Sequence, residues 1–97
     1  SLYSPYKLEI TDPTEQEFRT MFERVCQSLD IAYDKAPIDT LIAKQYREKG
    51  RPFRRCQPRD LLLQVQGYCR YQDVPEAVST QALDFAVENY FAVLDSC

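Results

Sequence analysis

Ninety-seven residues, 44% apolar and 28% charged, make one globular domain with a small core, burying roughly 60–65% of the surface its unfolded chain exposes. The chain has no histidine, which removes Ser-His and Cys-His catalysis and the commonest zinc ligand; its two glycines, Gly50 and Gly67, are too few for a phosphate-cradling loop. The net charge of −3 hides an asymmetry: Lys44 to Arg59 holds seven basic residues against one acid, Glu48, so this window is +6 and the rest of the chain −9. Such polarity points to a basic surface facing an anion on an otherwise acidic body; the alternative is a solvated charge run with no partner.

In chain order, Tyr6, Leu8 and Ile10 alternate with Lys7 and Glu9, the pattern of a short strand or extended arm with no second strand to pair with. Residues 1–13 are therefore read as an extended arm, the tail of something larger, and 14–97 as a helical domain. The chain opens on Ser1 rather than methionine, as expected of a processed or excised piece.

Thr14-x-x-Glu17 fits a capping box, and Phe18, Met21, Phe22, Val25, Cys26 and Leu29 follow helical spacing, predicting a first helix over about 14–29. Asp34 caps a second, with Pro37 in its first turn, a buried stripe of Ile38, Leu41, Ile42 and Tyr46, and a stop at Gly50. Residues 51–55 form a connector because Pro52 disfavours helix at Arg51, and Phe53 anchors it by burying its ring.

A third helix runs from about Pro58 to Gln72, with Leu61, Leu62, Val65, Tyr68, Cys69 and Gln72 on one side and Leu63 off that stripe. Asp73-Val74-Pro75 breaks the chain. Ser79 caps a fourth helix to about Phe91, with Leu83, Ala86, Val87, Tyr90 and Phe91 as its apolar face and Val78 stapling Leu83. No internal repeat is visible. The expectation is an all-α, small four-helix bundle with a short extended N-terminal arm.

Cys26, Cys56, Cys69 and Cys97 contain no C-x-x-C pair, which argues against a zinc site and for reduced thiols in a cytoplasmic protein, with a disulfide framework as the weaker reading. No apolar run reaches membrane-spanning length, so no membrane partner is expected.

The residues with most to say about function are Cys56-Gln57-Pro58-Arg59-Asp60-Leu61-Leu62. Proline is tolerated where helical N–H groups have no partner, so Pro58 marks a helix start. Arg59 then stands where a helix end already favours anions, the wrong place for a cation unless an anion comes from outside the domain. Guanidinium is always charged, and its planar fork matches phosphate oxygens. The competing reading is a salt bridge from Arg59 to an acid on the first or fourth helix. Asp60 is read as a first-turn acid satisfying backbone N–H groups, and Cys56 has no general base near it.

The order of elements resembles the C-terminal helical lid of AAA+ ATPases. There a last core strand runs into a proline- and acid-rich helix opening, as Tyr6 to Glu17 do, and two helices lead to a short motif ending in Pro-Arg. Gln57-Pro58-Arg59-Asp60-Leu61-Leu62 is similar to that motif, sensor 2, and the closing segment Val78 to Leu83 is similar to the opening of the family's last lid helix. The resemblance runs from about Tyr6 to Phe91. It implies that Arg59 contacts the γ-phosphate of ATP, which the preceding core binds with magnesium. It also implies that the partners are that core and neighbouring subunits of a ring oligomer, with Arg54 and Arg55 as possible anion or subunit contacts. The sequence departs from the family pattern at Cys56, where glycine is common, and the Walker and arginine-finger segments would lie upstream. No catalytic residue and no metal ligand are expected on this chain alone. Two other functions compete: a nucleic-acid-binding helical domain using the basic run, and a non-catalytic protein-interaction bundle.

Overall fold

A computed structural model describes residues 11–95, and all its regular structure is helical. The alternating segment at residues 6–10 lies outside the described residues. The first helix, α1, spans Glu15–Leu29. Its capping box is complete: Thr14 N–H donates to Glu17 Oε1 at 2.9 Å, and Glu17 N–H donates to Thr14 Oγ1 at 3.2 Å. Glu15 and Glu17 add negative charge where the helix dipole favours it.

The second helix differs from the expectation of one continuous α-helix to Gly50. α2 covers Lys35–Leu41, capped by Asp34, which accepts from Ala36 N–H at 3.2 Å; the chain then continues as a π-helical segment, Ile42–Glu48. The wider turn keeps both Ile42 and Tyr46 buried, and it brings the Tyr46 hydroxyl to the start of the next helix. Gly50, at φ 72°, reverses the chain in a conformation open to glycine.

α3 spans Gln57–Gln72, starting one residue earlier than Pro58, and α4 spans Thr80–Asp95, a full turn longer than its apolar pattern indicated. Ser79 caps α4 by accepting from Ala82 N–H at 3.1 Å. α3 is the central helix, packed mainly against α4 and also against α1, and α2 also rests on α4. Leu61, Leu62, Val65 and Cys69 of α3 meet Phe18, Phe22 and Cys26 of α1, Ile38, Leu41 and Ile42 of the second helix, and Ala82, Leu83 and Ala86 of α4 in one core. Gln72, expected on the buried stripe of α3, is exposed instead, because the helix is ending there and Asp73 turns the chain away.

The two helix–loop–helix halves close in the same way, at Cys26-x-x-x-Asp30-Ile31 and at Cys69-x-x-x-Asp73-Val74. Asp30 and Asp73 both adopt left-handed backbone at φ 58°, which aspartate tolerates better than most residues with a side chain. Ile31 N–H reaches back to the Cys26 carbonyl at 2.9 Å, and Val74 N–H to the Cys69 carbonyl at 3.0 Å. The two loops are then stitched together: Ala32 N–H donates to the Glu76 carbonyl at 3.0 Å and Val78 N–H to the Ala32 carbonyl at 2.9 Å.

Candidate functional site at the start of the third helix

The segment entering α3 is held by a buried polar residue. Gln57 is 5% exposed, and its Oε1 accepts from the Tyr46 hydroxyl at 2.7 Å and from Arg54 N–H at 3.3 Å. Its own N–H donates to the Arg54 carbonyl at 3.1 Å, closing the turn, and Pro58 beside it is fully buried. Apolar periodicity gives no sign of this role for Gln57, since a glutamine at a helix start reads as a surface residue. The hydrogen bonds offset the cost of burying its amide.

Below that turn lies an aromatic cluster. The Phe53 ring, partly buried as the connector reading required, stacks on Tyr46 with centroids 5.0 Å apart and lies 4.8 Å from Phe18. The Arg51 guanidinium sits 4.1 Å over the Phe91 ring, a cation–π contact that joins the connector to the end of α4. On the other side of the helix start, the Tyr90 hydroxyl donates to Asp60 Oδ2 at 3.2 Å. Burial, followed by the nearby Cys56 and Asp60, pushes the Tyr90 hydroxyl well above its ordinary range, so it stays a hydrogen-bond donor. Asp60 thus ties α3 to α4 while placing an acid in the first turn.

The basic run is largely occupied within the molecule. Arg47 pairs with both oxygens of Glu15 at 2.8 and 2.7 Å, Arg54 reaches both oxygens of Asp12 at 3.0 Å, and Arg55 Nε donates to the Thr11 carbonyl at 2.9 Å. Arg54 and Arg55, the possible anion or subunit contacts, therefore fasten the incoming chain to the turn before α3. Arg59 is different. It is exposed in the first turn, and among the described residues it makes no ion pair and no side-chain hydrogen bond. Among the described residues Arg59 forms no salt bridge to α1 or α4, and Glu15 of α1 is held by Arg19 and Arg47.

The thiols Cys26 and Cys69 are buried, and burial pushes Cys26 up to about 11, which leaves it protonated; Cys56 is exposed. No group of three or more His, Cys, Asp or Glu side chains that could hold a metal occurs among the described residues. No described helix is long and apolar enough to cross a membrane.

Residues 14–89 match the model of a family described as Domain of unknown function (DUF8689), and the chain belongs to that family. No curated protein and no solved structure matches it.

Proposed function

We propose that this chain is the C-terminal lid of an AAA+ ATPase, its helices forming a small four-helix bundle of the lid type, with Arg59 as the sensor 2 arginine. The observation that carries this reading is the contrast between Arg59 and the arginines around it. Arg47 and Arg54 are engaged by acids and Arg55 by a backbone carbonyl, whereas Arg59 is exposed, without an ion partner among the described residues, on a helix start braced by Gln57, Pro58 and Asp60. A pre-positioned guanidinium that meets phosphate only when another domain delivers it stabilises charge with little reorganisation. Cys56, where the family often has glycine, has φ −79° and ψ −19°, an ordinary right-handed conformation, so a side chain at this position brings no backbone strain.

In this reading ATP and magnesium are bound by a core upstream, and the lid supplies Arg59 without hydrolysing anything alone. Presence or loss of the γ-phosphate then biases the angle between lid and core through contacts made in only one of the two states. The parent protein is cytoplasmic and works as a ring of subunits. Nucleic-acid binding is the weaker reading, because most of the basic run is engaged within the molecule: Arg47 by Glu15, Arg54 by Asp12 and Arg55 by the Thr11 carbonyl, while Arg70 further along α3 pairs with Glu76.

The test is ATP turnover by the full-length protein carrying Arg59→Ala or Arg59→Lys. The alanine variant is expected to lose about 10²-fold or more in turnover, as when a single transition-state donor is removed, and lysine to recover only part because it lacks the planar fork. Turnover equal to wild type in both variants would remove Arg59 from the nucleotide site.

A further inference from the structure

The loops that close the two halves of the molecule leave one backbone edge open. Ala32 spends both of its backbone groups on the second loop, donating to the Glu76 carbonyl and accepting from Val78 N–H, so it pairs with Ala77 as parallel strands do. Successive residues of an extended chain turn these groups to opposite edges, so the Ile31 carbonyl and the Tyr33 N–H face the other way. Among the described residues neither has a hydrogen-bond partner. The far edge of the pair is closed, because the Ala77 carbonyl accepts from Ser79 N–H at 2.9 Å and from the Cys69 thiol at 3.7 Å. Natural sheets blunt open edges with lysine, proline or a bulge. Ile31, Ala32 and Tyr33 supply no lysine or proline, and Ala32 is exposed.

Against this edge lies a groove of about 610 Å³ lined by the same three residues. Its charged lining residues are Glu23, Asp30 and Glu76, with no lysine or arginine among them. Glu76 is engaged by Arg70 and Gln66, whereas Glu23 and Asp30 make no ion pair among the described residues. Burial, followed by the Glu23 charge, pushes the Tyr33 hydroxyl above its ordinary range, so this side chain stays a neutral donor beside the acid.

We propose that the Ile31–Tyr33 edge takes up an extended peptide with basic side chains at alternate positions, as an added third strand. A peptide residue that donates to the Ile31 carbonyl and accepts from Tyr33 N–H repeats what Ala32 does with Glu76 and Val78. Side chains alternate along a strand, so lysine or arginine at every second position gathers positive charge on one face, matching Glu23 and Asp30. Charge selects this occupant: the acids repel nucleic acid and acidic segments, and a second copy of the chain holds Arg47, Arg54 and Arg55 in its own folded contacts. The edge lies beyond the last turn of α3 and Arg59 in its first, about 20 Å apart along the helix, so this inference is independent of the ATPase reading.

The experiment titrates the full-length protein with a short capped peptide of alternating lysine and valine, measuring affinity by calorimetry and exchange of the Tyr33 N–H by NMR. Two further peptides carry N-methyl groups on alternate amides, each blocking one edge of the strand. The unmodified peptide is expected to bind and to slow exchange at Tyr33, while Ala32, already bonded, changes little. One methylated form should lose binding and the other keep it. Glu23→Gln combined with Asp30→Asn should weaken binding about tenfold, as expected for two exposed charge pairs lost together. Asparagine tolerates the left-handed backbone at residue 30, so this variant preserves the loop. Equal binding by both methylated forms would mean that charge attracts the peptide without adding a strand, and would overturn the inference. So would unchanged Tyr33 exchange at saturation, or no binding of the unmodified peptide.

Discussion

The starts of α1 and α3 occupy equivalent places at the beginning of a long helix, yet they are built from opposite chemistry. At α1 every choice serves the helix: Thr14 and Glu17 satisfy each other's backbone donors, and Glu15 and Glu17 meet the positive end of the dipole. At α3 the N-cap is Cys56, whose side chain makes no capping hydrogen bond, and Arg59 puts a cation in the first turn. Stability there comes from Gln57, Pro58 and Asp60, which leave Arg59 undisturbed on the outside. On the proposed reading, an exposed cation set against local helix chemistry on a well-braced helix start serves something outside the domain.

The largest stability effect that sharpens this comparison is expected at Gln57. Gln57→Ala strands the buried Tyr46 hydroxyl and opens the Arg54–Gln57 turn, and it should cost about 1–3 kcal/mol in chemical denaturation. A loss near zero would mean that the α3 start is not braced from below. Next comes the pair of caps. Thr14→Ala should cost about 1 kcal/mol, whereas Cys56→Ala, at the matching position, should cost well under about 0.5 kcal/mol, because no cap bond is lost. Equal losses at the two positions would erase the contrast.

The smallest expected effect concerns acid. Hydrogen bonds from Arg47 hold the Glu15 carboxyl below its usual 4.5, and those from Arg19 hold Asp39 below its usual 3.8. Both groups have lower values folded than unfolded, so the unfolded chain takes up protons first as pH falls. Their contribution is therefore fully present above the unfolded values and disappears as pH drops through the folded ones. The unfolding midpoint should be steady near neutrality and decline below about pH 4.5, with a shallower decline in Glu15→Gln. Both sites are partly solvent-exposed, so added salt should reduce the effect. An identical acid profile for Glu15→Gln would show that the α1 ion pairs do not contribute.

The helical character and most of the core were legible because apolar spacing and cap chemistry agree at each helix. Phe18, Phe22 and Cys26, then Ile38, Leu41, Ile42 and Tyr46, are buried as their spacing requires. The rest depends on contacts between distant residues or on an unusual choice of residue at a loop. The π-helical turn at Ile42–Glu48 serves Tyr46, whose hydroxyl meets Gln57 eleven residues later, and spacing within one helix carries no sign of that demand. The matching loop closures at Asp30 and Asp73 use aspartate where glycine is the usual marker, so a search for glycines passes over them. At the candidate site, Arg59 was legible as a cation at a helix start. The fate of Arg54 and Arg55 was not, because their partners, Asp12 and Thr11, lie more than forty residues earlier in the chain.

The central claim is that Arg59 serves a partner rather than the fold, and one paired measurement on the full-length Arg59→Ala protein tests it most directly. Removing a cation from a helix start, with no ion pair lost among the described residues, should leave the unfolding midpoint unchanged or slightly higher while ATP turnover falls by about 10²-fold. A clearly lowered midpoint with turnover intact would contradict the account.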